Sequence, residues 1–244
     1  MSSRNWTVLT VVGIVLALGA GLLVGRYWWA ADSGSGNRAA VEKIVREYIL
    51  DHPEILPQAM ENLQKRENAQ ALSGINDKVH APFPGAVLGN PNGKVTLVEF
   101  TDFACTFCRQ SVAEVEQLIA ANPDLRVVIR ELPIISPQSA DAAKMALAAA
   151  EQGKYAAFHN AMYAAGQPSP ETIAAAARAA GLDMDRARKT IADPKLEAEL
   201  TRNVEFARRL GFNGTPSWIA GDALLSGAVG KDKLAEAIEA ARKG

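Results

Sequence analysis

Cys105 and Cys108 are the only cysteines in the 244-residue chain. They stand where two sequence patterns meet, and that position constrains the fold more than any other feature. Residues 94–100, KVTLVEF, form a short β-branched and apolar run that predicts a buried strand. The run leads into TDFACTFC and then RQSVAEVEQLIAA, whose apolar spacing predicts a helix. Cys105 therefore sits at a strand-to-helix junction. A thiolate there faces unpaired backbone N–H groups and the positive end of the helix dipole, which lower its pKa. Cys108 lies one turn on, near enough to bond Cys105 or to resolve a mixed disulfide. Two cysteines cannot build a disulfide framework or close a four-ligand zinc site, and His52, His80 and His159 are all distant in sequence. A pair of thiolates could also hold the soft ion Cu(I), which is the alternative, binding-protein reading.

Charge and composition exclude other classes. The formal net charge of −1 gives no electrostatic drive toward nucleic acid. A hydrophobic content of 48% with 22% charged residues fits a globular protein carrying an added apolar segment. That segment is N-terminal. No residue from Asn5 to Gly25 is charged, with Arg4 before the run and Arg26 after it. About 20 apolar residues suffice for a helix to cross a bilayer. Trp28 and Trp29 occupy the −3 positions for cleavage after Ala30 or Ala31, which disfavours a cleaved signal. Tyr27, Trp28 and Trp29 read instead as an interfacial aromatic belt, so residues 1–31 are expected to form an uncleaved anchor. Gly13, Ala17, Gly21 and Gly25 would line one helix face in a small-xxx-small pattern. The alternative is chance alignment of common membrane residues.

Residues 32–37, DSGSGN, read as a flexible linker. Residues 38–80 read as a helical stalk. Val41, Ile44, Val45, Tyr48 and Ile49 have amphipathic spacing, His52-Pro53 breaks the helix, and a second helix carries Ile55, Leu56, Met60 and Leu63. These apolar faces need a partner: the catalytic domain, a membrane surface, or other copies of the stalk.

Beyond the cysteines, residues 125–133 predict a second strand. Helices follow at roughly 138–152, 154–165, 170–181, 183–192 and 195–210. Thr215-Pro216 precedes a short strand, 217–220, where proline marks either a sheet edge or a cis bond. An amphipathic helix closes the chain. Glu99 alternates with Val98 and Phe100 in the first strand; it is either buried, with a raised pKa, or solvated at an edge.

The segment VEF-x-D-x-x-C-x-x-C, Val98 to Cys108, is similar to the active-site segment of the DsbA family. VLGNP at 87–91, ELP at 131–133 and GTPSWI at 214–219 also resemble its recurring pieces, over roughly residues 85–244. The resemblance implies an α/β thioredoxin fold over 81–244, with an inserted helical domain at about 138–210. It makes Thr215-Pro216 a cis-proline loop facing the cysteines and places Glu99 as the buried acid beneath them. Catalysis then falls to Cys105, Cys108 and Glu99, and substrate contact to Thr215, Pro216, Thr106 and Phe107. No cofactor is called for. Thr106-Phe107 stands where strongly oxidising members carry Pro-His.

VEKIVREYILDHPEILPQAMENLQ is similar to the stalk of ScsC (suppressor of copper sensitivity) proteins, some of which are trimeric disulfide isomerases. The implied protein is a protein disulfide oxidoreductase or isomerase, or else a monomeric DsbA-type thiol oxidase. It would be held in a bacterial inner membrane by a single span, with its catalytic domain in the periplasm. Its partners would be unfolded or misfolded proteins, a DsbB-like or DsbD/ScsB-like membrane redox protein, and copies of itself, most simply as a trimer. An apparent anchor is a departure from ScsC-like proteins, which are usually soluble.

Overall fold

The computed structural model describes residues 3–243, with side chains at residues 16, 18–26 and 37–243. The chain divides by internal contacts into two units, residues 1–62 and 63–244.

The first unit holds α1 (Ser3–Asp51) and the start of α2 (Ile55–Leu72). The break between the helices falls at His52-Pro53, as expected from proline's exclusion of the preceding residue from the α region. Pro57 is accommodated in the first turn of α2, where its missing N–H would have no partner. The backbone is helical through residues 32–37, where the sequence predicts a flexible linker. That stretch contains no proline, and a glycine costs a helix only about 1 kcal/mol relative to alanine, which propagation from both flanks offsets. Among the described residues no helix is long and apolar enough to cross a membrane. The expected anchor falls largely outside the residues whose side chains are described, as do Gly13, Ala17 and the Tyr27–Trp29 belt.

The second unit is built on a five-stranded mixed sheet of order β1-β3-β2-β4-β5. The strands are β1 (Val87–Gly89), β2 (Val95–Thr101), β3 (Leu125–Glu131), β4 (Ser217–Ala220) and β5 (Ala223–Ser226). β2 and β3 are parallel, joined through α4 (Thr106–Ala121); the other pairings are antiparallel. β4 lies between β2 and β5, so the proline that enters it is not an edge feature.

Between β3 and β4 come five helices: α5 (Ser139–Ala150), α6 (Tyr155–Ala165), α7 (Pro170–Ala179), α8 (Met184–Ile191) and α9 (Pro194–Arg209). Their starts are encoded locally. Ser169 and Thr172 form a capping box ahead of α7, and Asp183 and Asp193 accept backbone N–H groups ahead of α8 and α9. α10 (Lys231–Lys243) closes the chain, and a short α3 (Asn76–His80) precedes the sheet.

Strand alternation divides the core. Leu97, Val127, Ile129 and Trp218 face one side with Cys105, Cys108, α6 and α10. Val98, Phe100, Val128 and Ile219 face the other, under Leu72, Ile75, Val79 and Phe206. Leu72, Ile75 and Val79 are buried in this second cluster. The boundary between units thus falls inside the predicted 38–80 stalk, because its C-terminal part is core of the second unit. The sheet with its helical insertion is the thioredoxin-type α/β arrangement that the resemblance implies.

Candidate active site

Cys105 is the N-cap of α4, and its Sγ accepts the Cys108 backbone N–H at 3.3 Å. The Cys105 sulfur therefore does the capping work that serine or aspartate does elsewhere in the chain. Its own S–H donates to the Thr215 carbonyl at 3.2 Å. Both cysteines are free thiols. Cys105 retains 5% exposure, whereas Cys108 has none.

This asymmetry sets their acidities. A hydrogen bond from Cys108 is the largest influence on Cys105; with help from Thr215 and the backbone it lowers the thiol's pKa to about 6, against an opposing effect of burial. Burial, reinforced by Cys105 and by the charge of Glu99, drives Cys108 far up. Arg109, which follows Cys108 directly, is not among the groups that stabilise Cys105.

Glu99 lies in mid-strand, paired across to Ile129 and Trp218, and is 3% exposed. Its carboxyl faces the cysteine side. Desolvation raises its pKa to about 8, with the Cys105 charge adding to the rise and Thr101 opposing it. The buried alternative of the sequence reading is the one the structure adopts. Thr215-Pro216 is cis, and both residues are buried. Thr106 is exposed on the outer side of the first turn of α4, and the Phe107 ring is 59% exposed. Cys105, Cys108, Glu99 and Thr215 thus converge, while Thr106 and Phe107 rim them.

Further residues gather at this centre, of which Asp102 alone is a fixed letter of the VEF-x-D-x-x-C-x-x-C segment. Asp102 is buried three residues before Cys105, and its carbonyl accepts the Cys105 N–H at 2.9 Å. Its carboxylate accepts four hydrogen bonds, from the Ala104, Ile134 and Ile135 backbone N–H groups and the Ser139 hydroxyl. Thr101 Oγ1 lies 2.7 Å from Tyr163 Oη, which donates to the Asp102 carbonyl at 3.2 Å. Glu131 accepts from Tyr155 Oη at 2.6 Å. His159 packs against Phe103 and Tyr163, and burial lowers its pKa to about 4. The i, i+2 relation of Thr101 to Glu99 was the available sequence signal. The α6 partners lie about sixty positions away and leave none. Among the described residues no cluster of three or more His, Cys, Asp or Glu side chains is arranged to hold a metal ion.

Residues 84–240 match the family model described as Thioredoxin, and residues 37–70 match that of the Copper resistance protein ScsC N-terminal domain. A thioredoxin-like oxidoreductase from Silicibacter pomeroyi DSS-3 is 44% identical with a TM-score of 0.62, covering 65% of this chain and 92% of that one. The thiol-disulfide exchange protein alpha-DsbA2 from Wolbachia pipientis is 29% identical with a TM-score of 0.65, covering 75% and 97%. Proteus mirabilis ScsC in a transitional conformation is 26% identical with a TM-score of 0.64, covering 85% and 98%. The Na(+)/H(+) antiporter NhaA 1 of Salinispora arenicola is 28% identical over 191 residues, 75% of this chain. The chain spans 29% of that antiporter's length.

Proposed function

The chain belongs to the thioredoxin family, and from that premise we propose that it exchanges disulfides in unfolded or misfolded proteins, with Cys105 attacking and Cys108 resolving. Its general activity is that of a thiol–disulfide oxidoreductase. In the proposed cycle the Cys105 thiolate attacks one sulfur of a substrate disulfide, and the other sulfur leaves as a thiolate. The mixed disulfide has two fates. A second substrate thiolate can displace Cys105 and complete an isomerisation. Alternatively the Cys108 thiolate attacks Cys105, closing the Cys105–Cys108 bond and releasing a reduced substrate.

The carrying observation is the contrast between the two sulfurs: one caps a helix with a pKa near 6, the other is sealed and protonated. In this role Glu99 takes the Cys108 proton. Thr215 and Pro216 offer backbone to an extended substrate, as an added strand does, and Thr106 with Phe107 contacts its side chains.

An isomerase reading is favoured over a monomeric oxidase by the match of residues 37–70 to the ScsC N-terminal domain, and the lowered pKa of Cys105 is compatible with it. Reference thiols run from about 7 in thioredoxin to about 3.5 in DsbA. Cys105 lies between, stabilised by hydrogen bonds without a histidine. An intermediate thiolate attacks at neutral pH and is still a moderate leaving group, as repeated attack and release require. The match of residues 37–70 supports self-association through the stalk, with a trimer as the working state. Anchoring by residues 1–31, a periplasmic catalytic unit and reduction by a membrane dithiol partner complete this reading.

Reactivation of scrambled ribonuclease, run beside oxidation of reduced ribonuclease, tests it. Reactivation dependent on Cys105 is expected. Oxidation alone would replace isomerase with oxidase, and absence of both would end the reading.

A further inference from the structure

On the face of β3 turned away from the cysteines, a cavity of about 420 Å³ opens where the helical insertion meets the sheet. That volume lies within the range of small-molecule sites, which favour junctions of this kind. Arg130 of β3 lines it together with Lys195, Glu199 and Arg202 of α9 and with Glu151 at the end of α5. Lys78 of α3 and the run Pro82-Phe83-Pro84 complete the lining. This run is fixed by its own chemistry. Two prolines restrict its backbone. The Gly85 that follows has a φ of +85° and lies so close to α5 that a Cβ there would clash with the Ala150 carbonyl oxygen. The apolar wall is therefore held against the insertion, and the cavity is preformed.

The charges on this lining do not cancel. Arg130 gives its guanidinium N–H groups to Glu199, Asn203 and the carbonyls of Lys78, Val79 and Ala81, so it is a fixed charge with no donor to spare. Glu199 also accepts from Arg202, so one carboxylate serves two guanidiniums. Lys195 is balanced by Glu151 at 2.6 Å and by Asp193 at 3.4 Å. Among the described residues the Lys78 ammonium has no acid partner, and Arg202, 52% exposed, pairs with Glu199 alone. Two positive charges are thus in surplus. Burial lowers the pKa of Arg130, Glu199 opposes this, and the Arg202 charge lowers it further, so the site gains from an added anion.

We infer that this cavity binds a small organic dianion, with its charged group at Lys78 and Arg202 and its apolar body on Pro82, Phe83 and Pro84. A phosphate monoester has the required chemistry. It carries nearly two negative charges at neutral pH, and its oxygens match the open part of the Arg202 fork. Lys78 supplies a point charge on a flexible stem, and the proline and phenylalanine side chains exclude water from the ligand's body. The ligand would join α9 to the 78–84 segment, so it would stabilise the seating of the insertion on the sheet by mass action. Neither cysteine takes part, and the inference stands independently of the exchange cycle.

The test is equilibrium dialysis of the reduced full-length chain against phenyl phosphate at neutral pH, at low and at high salt. One molecule per chain is expected to bind, and more weakly as salt rises. Inorganic phosphate supplies the charge without the ring, and benzyl alcohol the ring without the charge. Each should bind at least about tenfold more weakly, because burial of the ring and hydrogen bonds to the charged group each contribute that factor. Lys78→Gln and Arg202→Gln should each weaken phenyl phosphate by about tenfold. Both side chains are exposed, and Arg202→Gln leaves the Arg130–Glu199 pair in place, so both variants should fold. Lys233→Gln, on α10 across the sheet, removes the same charge and should change nothing. Failure of phenyl phosphate to bind overturns the site, as does equal binding by wild type and both cavity variants. Inorganic phosphate binding as tightly as phenyl phosphate would mean a surface ion only and overturns it too.

Discussion

At the scale of single residues the site works by charge placed against burial. The Cys105 anion is held chiefly by Cys108, so removing that partner should undo the activation. Cys108→Ala is expected to move the pH midpoint of Cys105 alkylation by iodoacetamide upward from about 6 toward the ordinary thiol value of 9.0. An unchanged midpoint would assign the activation to the helix terminus alone. Glu99 makes an opposite bargain. Its pKa rises from 4.5 unfolded to about 8 folded, so between those values the native state binds more protons than the unfolded one. Stability from this group is therefore complete below pH 4.5 and declines as pH rises toward 8. Glu99→Gln removes the ionisation. The variant's melting temperature should gain on the wild type between pH 5 and pH 8, measured on the reduced protein at both. A gap that narrows with pH would mean that Glu99 is not desolvated. Cys105 contributes the other sign, stabilising the reduced fold as pH rises from 6 to 9, and it is common to both proteins. Cys105, Cys108 and the placement of Glu99 were legible because strand, turn and helix are adjacent in sequence. Thr101 and Tyr163 were not, since a hydrogen bond between residues 62 positions apart leaves no local pattern.

At the scale of elements, the face of β3 turned away from the cysteines is organised by Arg130. This guanidinium is buried, pairs with Glu199 of α9 at 2.8 Å, and donates to Asn203 at 3.3 Å. It also donates to the Val79 carbonyl at 3.1 Å and to the carbonyls of Lys78 and Ala81. One side chain thus binds the helical insertion and the α3 segment to the central sheet. Arg130→Met should cost about 3 kcal/mol, the low end for an orphaned buried charge, because Arg202 still faces Glu199. Pairing it with Glu199→Leu should recover much of that loss in urea denaturation. A double variant less stable than the single would show that the carbonyl contacts dominate. Elements were legible to the degree that they carry their own signals. The sequence places α7, α8 and α9 within one or two residues of their observed bounds, and capping residues mark their starts in the structure. β5 has no β-branched residue and four positions in all, so only its pairing with β4 defines it. α3 has five residues and owes its helix to the burial of Val79.

For the whole molecule the open face of the stalk decides the argument. Ile44, Val45 and Tyr48 are 65%, 50% and 56% exposed, and Leu56 and Met60 of the same unit are also exposed apolar side chains. Exposed apolar stripes of this kind mark interaction sites. The proposed occupant is the same stripe on two further copies. The sequence reading set the edge of the catalytic unit at Ala81, but a cut there would strip Leu72, Ile75 and Val79 from the core. The informative cut is at Leu63, where the second unit begins. Light scattering should give a trimer mass for the protein starting at Arg38 and a monomer mass for one starting at Leu63. Holding several Cys105 thiolates around one client raises their effective concentration without any new contact. An isomerase profits from this because it attacks, releases and attacks again, whereas single-pass reduction does not need it. The Leu63 protein should therefore still reduce a peptide disulfide but lose most of its reactivation of scrambled ribonuclease. A monomer from Arg38, together with full reactivation by the shorter protein, would defeat the assembly argument. The stalk would then be better understood as a spacer ahead of an independent catalytic unit.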